Sequence, residues 1–212
     1  AVYEIGEEGE QAFIAMELIE GKTLRQSLGA ALALDEALRL ALQIAWGMAL
    51  AHDKHVLHRD LKPENVMVTH DGDVKILDFG LAKRLGAGDD PAHPEGAHGP
   101  GATQGGAIMG TPGYMSPEQI LGNELDQRSD IFAFGAMLYE MVTGSNPFRG
   151  NLRRAIVDTL NRTPTPPGRL VPRVSPALDR LIMGCLARKR DERVASMHDV
   201  VRELSHIVAA TH

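Results

Sequence analysis

Apolar residues recur at helical spacing in two long stretches of the chain. The first stretch predicts a helix that begins at Asp35, as its N-cap, and ends near His52. Its apolar face consists of Leu38, Leu42, Ala45 and Ala49. The second stretch predicts a central helix between residue 126 and the Asn-Pro-Phe string at 146–148. The apolar face of this helix consists of Ile131, Phe134, Leu138, Met141 and Val142.

Alternating apolar positions predict strands in two other places. Residues 66–68 and 74–77 alternate on either side of an Asp71-Gly72 turn, which predicts a hairpin. Residues 1–17 predict two more strands around a polar turn. The C-terminal part is mainly helical, with short helices near 151–160, 175–186 and 196–209 and a Pro-rich connector at 163–172. By contrast, residues 86–106 show no apolar periodicity and predict a mobile loop that is disordered without modification.

Composition excludes several classes of function. The net charge is −6 and no long basic stripe occurs, so nucleic-acid binding is not expected. The single cysteine, Cys185, excludes an internal disulfide framework and is expected in the core. No run of about 18 apolar residues occurs, so no membrane span is expected in this chain. A membrane anchor elsewhere in a longer parent protein stays open.

Two segments carry residue types that suit phosphoryl transfer. The first is His-Arg-Asp-Leu-Lys-Pro-Glu-Asn at 58–65, and the second is Asp-Phe-Gly at 78–80. Phosphoryl transfer is catalysed mainly by positioning and charge neutralisation, and Mg²⁺ prefers oxygen ligands. Asn65 and Asp78 therefore suit a metal, and Asp60 suits the group that receives the hydroxyl proton. Lys62 is placed to neutralise the transferred phosphate.

These segments resemble the eukaryotic-type protein kinase family, most closely its bacterial serine/threonine members, and further blocks follow in family order. Residues 110–118 resemble the end of an activation segment, with Ser116 where the family usually has Ala. Asp130 is expected to lie on a buried helix and to brace the catalytic loop. Arg193 is expected to pair with Glu118. The resemblance implies an α+β, kinase-like fold with a mainly helical C-terminal lobe.

The resemblance also implies roles for individual residues. Lys62 and Thr111 are typical of serine/threonine kinases, in which this hydroxyl contacts the catalytic Asp and Lys. His58 is expected to be a buried spacer beside Phe79, and Gly80 completes the metal loop. A metal site on His52, His55 and His58 is the less favoured alternative.

The implied nucleotide is ATP, with Mg²⁺ or alternatively Mn²⁺. Residues 16–21 resemble the interlobe hinge, although an ordinary strand-to-helix loop is the alternative. Backbone groups of Glu17 and Ile19 are expected at the adenine edge. The other expected nucleotide contacts are Met16 as gatekeeper, Lys22 or Thr23 near the ribose, Met67 under the adenine ring, and Glu64.

Regulation by phosphorylation is expected, because Arg59 lies next to Asp60 and is suited to bind an anion. Thr103 is the favoured phosphosite, and a simple polar loop residue is the alternative. The expected partners are proteins bearing Ser or Thr, and self-association for autophosphorylation is a further expectation. The kinase domain is expected to be cytoplasmic.

The resemblance divides the chain into two parts. Residues 1–17 are expected to be the last strands of the N-terminal lobe, and residues 18–212 the C-terminal lobe, with hinge, catalytic loop and an activation segment at 78–118. No Gly-rich loop or strand Lys precedes Asp60. We therefore expect a fragment with weak activity alone, rather than a natural minimal kinase. The alternatives are a pseudokinase or protein-binding module, and a small-molecule phosphotransferase.

Overall fold

The strands form two small antiparallel sheets. The computed structural model describes residues 2–8, 11–79 and 111–211. Strands β1 (Val2–Glu8) and β2 (Gln11–Met16) form a hairpin. Strands β3 (Gly21–Thr23), β4 (Val66–Thr69) and β5 (Val74–Ile76) form a second sheet in the order β3-β4-β5. Both hairpins were expected from the sequence, whereas β3 was not.

Eight α-helices occur in the described ranges. They are α1 (Leu24–Ser27), α2 (Leu34–Asp53), α3 (Pro117–Ile120), α4 (Gln127–Thr143), α5 (Leu152–Asn161), α6 (Pro167–Leu170), α7 (Pro176–Cys185) and α8 (Met197–Ala209). One 3₁₀ turn covers Pro63–Asn65 and another covers Arg190–Glu192. Ser175 and Ser196 are the N-caps of α7 and α8, and each accepts a hydrogen bond from the first turn of its helix.

Two predicted helix boundaries were wrong. Asp35 is not the N-cap of α2, because the helix begins at Leu34 and Ala33 occupies the cap without a side-chain bond. Asp35 lies instead in the first turn, where its carboxylate is favourable near the positive end of the helix dipole. Helix α4 ends before the predicted string at 146–148, because Gly144 adopts a left-handed conformation (φ 75°) and closes it.

Helix α4 occupies the centre of the core. Its residues from Ser129 to Val142 are all buried, and α2, α7 and α8 contribute apolar side chains around it. Cys185 is buried in this core, as predicted. In the described ranges no helix combines the length and apolar character that a membrane span requires. The segment between α2 and β4 packs on this core through Leu61, which belongs to it.

Candidate active site

The loop between α2 and the Pro63–Asn65 turn is held by a buried carboxylate. Asp130, on α4, accepts the backbone N–H of His58 at 2.9 Å and that of Arg59 at 2.8 Å. His52 Nε2 lies 2.9 Å from the same carboxylate. A buried carboxylate is stable only when such donors satisfy it. Asp130 therefore holds the backbone just before Asp60, which is the bracing contact that the resemblance implied.

His52 lies in the last turn of α2, near the helix end where the sequence placed it, but its contact with Asp130 was not predicted. His52 is buried, and its Nδ1 has no hydrogen-bond partner among the described residues. Because the Asp130 carboxylate can only accept, the proton between the two groups is assigned to Nε2, which donates to Asp130. His52 follows Met48 by four positions and Ala49 by three, so all three lie on one face of the helix. Because Met48 and Ala49 are fully buried, this spacing could have predicted that His52 is buried too.

Lys62 joins two of the other predicted catalytic residues. Its Nζ donates to Asp60 Oδ2 at 2.6 Å and to Thr111 Oγ1 at 2.9 Å. Asp60 Oδ1 accepts no hydrogen bond from the described residues, and this carboxylate remains partly exposed. The arrangement thus leaves one carboxylate oxygen of Asp60 available to a hydroxyl that approaches from solvent.

Asn65 lies beside Asp60. Its Nδ2 donates to the Asp60 carbonyl at 2.9 Å and lies 3.4 Å from Asp60 Oδ2. Because the amide nitrogen faces Asp60, the amide oxygen of Asn65 is the atom that remains for a cation. Amide and carboxylate oxygens are the ligands that Mg²⁺ prefers.

Asp78 follows directly after Leu77, which is bonded to the predicted catalytic loop at 58–65. The N–H of Leu77 donates to the Asn65 carbonyl at 2.8 Å, and the Leu77 carbonyl lies 2.9 Å from His58 Nε2. Asp78 itself has a positive φ of 58° and an exposed side chain. These bonds keep its backbone next to Asn65, so the residues present fit a divalent metal.

His58 packs against Phe79, as the resemblance implied. The two ring centroids lie 4.9 Å apart, and His58 is buried. Gly80 and Thr103 lie outside the described residues, so their predicted roles stay predictions.

The proposed hinge residues lie between the end of β2 and the strand that pairs with β4. Met16 ends β2, Glu17 and Ile19 are partly buried in the following loop, and Lys22 lies exposed in β3. In the register of the sheet, Met67 is opposite Thr23. Backbone pairing thus brings the residues that follow the proposed hinge beside Met67.

Glu64 is bound by a residue that sequence analysis missed. Arg25, on α1, donates to Glu64 Oε1 at 2.7 Å and to Glu140 Oε1 at 2.8 Å. Tyr114 also contacts both Arg25 and Glu140 by short hydrogen bonds. Burial and the neighbouring Glu140 raise the pKa of Tyr114, so its phenol keeps the proton that it donates. Arg25 therefore connects the catalytic loop to the segment after Thr111.

Glu118 and Arg193 form the predicted pair. Arg193 donates to the two carboxylate oxygens of Glu118 at 2.7 and 3.1 Å, and Ser129 donates to the same carboxylate at 2.7 Å. Burial disfavours the charged form of Glu118, but Arg193 and Ser129 outweigh burial and lower its pKa below the ordinary value. The pair holds the segment after Thr111 against α4.

Comparison with known proteins identifies the family. The protein kinase domain model matches residues 1–204, so the chain belongs to the protein kinase family. The chain is 41% identical over 204 residues to the serine/threonine-protein kinase pkn3 of Myxococcus xanthus, covering 92% of this chain and 36% of that protein. It is 35% identical over 198 residues to PknL of Mycobacterium tuberculosis, covering 92% of this chain and 47% of that protein.

A third relative is also a protein named as a serine/threonine kinase. Serine/threonine-protein kinase pkn2 of Myxococcus xanthus is 35% identical over 218 residues, covering all of this chain and 25% of that protein. The chain thus spans between a quarter and a half of the length of these three curated relatives. The α+β, kinase-like fold expected from the sequence is confirmed by the family match.

Proposed function

We propose that the protein transfers the γ-phosphoryl group of ATP to Ser or Thr hydroxyls of other proteins. The observation that carries this proposal is the position of Lys62 Nζ, within 2.9 Å of both the Asp60 carboxylate and the Thr111 hydroxyl. Asp60 Oδ1 orients the acceptor hydroxyl and receives its proton. Lys62 balances the negative charge that gathers on the transferred group.

The metal and the nucleotide have separate proposed binding residues. The amide oxygen of Asn65 and the carboxylate of Asp78 would hold Mg²⁺, which when bound neutralises phosphate oxygens. The same oxygen ligands also suit Mn²⁺. Backbone groups of Glu17 and Ile19 are proposed to bind the adenine edge, above Met67. Support for this placement is the pairing of β3 with β4, which puts Thr23, just after the proposed hinge, opposite Met67.

A direct assay tests this function. The protein is incubated with labelled ATP, Mg²⁺ and an unstructured protein acceptor, and phosphoserine and phosphothreonine are identified by mass spectrometry. We expect transfer that a chelator abolishes and that added Mg²⁺ or Mn²⁺ restores. D78N should abolish transfer, whereas D73N, a change at an exposed carboxylate in the β4–β5 turn, should not. Nucleotide binding without any transfer would instead favour the pseudokinase alternative.

We further propose that these 212 residues alone bind ATP weakly. No Gly-rich phosphate loop or strand Lys precedes Asp60 in the sequence, and both normally hold the phosphates. The assay is therefore run beside a version that carries additional upstream coding sequence. Equal activity of the two versions would contradict this proposal without affecting the reaction itself.

Phosphorylation of Thr103 is the proposed means of activation. Arg59 is partly buried beside the base, and none of the carboxylates in the described residues forms an ion pair with its guanidinium. Such an Arg is suited to a phosphate, which adds a charge of about −1.5 to −2. T103A should lower activity, whereas the control T163A, at an exposed residue before α6, should not. Unchanged activity of T103A would leave Thr103 as a polar loop residue.

A further inference from the structure

The peptide group between Arg59 and Asp60 is held at both of its polar ends. Its N–H, which belongs to Asp60, lies 3.3 Å from His58 Nδ1. Its carbonyl, which belongs to Arg59, accepts a hydrogen bond from Gln119 Nε2 at 2.5 Å. The Asp60 side chain is attached to the Cα atom that directly follows this peptide group. Rotation of the peptide group would therefore move the Asp60 carboxylate.

The Gln119 amide can bind this carbonyl in only one orientation. Its Oε1 accepts from the backbone N–H of Ser116 at 3.0 Å and lies 3.1 Å from the Ser116 hydroxyl. These two residues form a capping box at the start of α3. With its oxygen engaged by a backbone donor, the amide presents its nitrogen, its only donor, to Arg59.

The bond from Gln119 acts on a residue in an unfavourable conformation. Arg59 has a φ of 70°, in the left-handed region that a side chain with a Cβ atom disfavours. Such a conformation persists only where its surroundings impose it. Asp130 holds the N–H of Arg59 and Gln119 holds its carbonyl, so the two restraints come from different helices.

We propose that Gln119 is a positioning residue for phosphoryl transfer. It touches neither substrate nor metal, but its amide fixes the peptide group that orients the Asp60 carboxylate. It also links the base to the segment that ends at Ser116, so the base is aligned only when this segment occupies its observed position. This inference rests on the function proposed above and adds a residue to its machinery.

The first test is a single substitution in the full-length protein. Q119E keeps an oxygen for Ser116, removes the N–H donor to Arg59 and adds a negative charge. We expect kcat to fall about ten-fold or more while KM for ATP changes less than about two-fold, because misplacement of a reacting group mainly slows the chemical step.

Gln43 supplies a matched control. It has the same bonding pattern, since its Oε1 accepts from Val74 N–H at 3.0 Å and its Nε2 donates to the Gly72 carbonyl at 3.1 Å. Gln43 lies on α2 and is also partly buried. Its side chain bonds the β4–β5 turn and the start of β5, not the loop that carries Asp60. Q43E should leave kcat within about two-fold of the wild type.

The second test separates positioning from the negative charge that Q119E introduces. Q119E is measured in an R59A background and in an R59G background, both of which lack the guanidinium. Glycine adopts the left-handed conformation freely, whereas alanine does not. We expect the loss of kcat caused by Q119E to be several-fold smaller with glycine at position 59 than with alanine. Equal losses in the two backgrounds would mean that charge alone acts, and would overturn the proposal.

The outcomes distinguish the two proposals. Transfer by the wild type with unchanged kcat in Q119E overturns the role of Gln119 and leaves the proposed function intact. Absence of transfer by the wild type, with and without upstream sequence, overturns the proposed function and with it this inference.

Discussion

Two groups of side chains with the same chemistry lie at opposite ends of the segment 111–118. Each combines a carboxylate, a cation and a hydroxyl. The open trio is Asp60, Lys62 and Thr111, and the sealed trio is Glu118, Arg193 and Ser129. The carboxylate side chain is 37% exposed in the open trio and 7% exposed in the sealed trio.

The two carboxylates also differ in how many of their oxygens accept hydrogen bonds. Arg193 binds both oxygens of Glu118, and Ser129 donates to one of them, so no oxygen of that carboxylate is left over. Lys62 binds only Oδ2 of Asp60. A satisfied, buried ion pair serves to hold structure, whereas a carboxylate with a spare, accessible oxygen is suited to chemistry. The four predictions below test this division of roles.

The largest expected effect is on catalysis by the open trio. D60N should lower the rate of phosphoryl transfer by ~10²–10⁴-fold, because a positioned general base is lost. Its thermal unfolding temperature should be almost unchanged, since the residue is partly exposed. The control D53N changes an exposed carboxylate that pairs with His198 at the surface and should leave the rate unchanged. An active D60N protein would remove Asp60 from the proposed mechanism.

The next effect is on stability through the sealed trio. R193M should lower the free energy of unfolding by about 3–5 kcal/mol, because Glu118 is left buried without its cation. Denaturant unfolding measures the change. R190M is the control, because Arg190 lies 3.7 Å from Asp126 in a half-exposed pair and should contribute less than about 1 kcal/mol. Similar losses for both variants would contradict the distinction between sealed and exposed pairs.

A smaller effect is expected on the pH dependence of the free energy of unfolding. Folding lowers the pKa of Glu118 below its ordinary value of 4.5 because Arg193 and Ser129 outweigh burial. The charged carboxylate therefore stabilises the fold above pH 4.5, and this contribution is lost as the pH falls through the lowered folded-state pKa. E118Q should show a weaker decline of unfolding free energy in this acid range. The exposed control E192Q should decline as the wild type does.

The smallest expected effect is on the reactivity of Cys185. It is the only cysteine of the chain, and burial raises the pKa of its thiol to about 12. Alkylation at neutral pH should therefore be slow in the wild type and equally slow in D60N. It should be faster in R193M, which populates open states more often. Mass spectrometry of the alkylated chain measures the rates, and fast alkylation of D60N would show that the open trio also supports the core.

Much of the proposed site could be predicted because its residues are close in sequence. Asp60, Lys62 and Asn65 lie within a few positions of one another, so a single loop carries all three side chains. Asp78 follows a hairpin whose turn was visible in the pattern of apolar and turn residues. For this part, neighbouring residues indicate which groups lie near one another, whereas distant residues hold the backbone before Asp60.

The supporting residues could not be predicted for the opposite reason. Arg25 reaches Glu140 across 115 positions, and Gln119 reaches the carbonyl of Arg59 across 60. Arg25 and Gln119 are ordinary polar residues on short helices, with no pattern that distinguishes them from solvent-exposed neighbours. The contact of His52 with Asp130 was not predicted, because the two residues lie 78 positions apart on different helices.

The order of residues along the chain was thus sufficient to specify the chemical groups, their grouping on two loops and the apolar faces of the long helices. These features depend on neighbouring residues and on the periods of helix and strand. Which carboxylate stays open to solvent, which is sealed by an Arg, and which amide holds the strained peptide before Asp60 depend on helices that meet only after folding. Burial and hydrogen-bond geometry are properties of that assembly, because they are set by atoms that are distant in sequence.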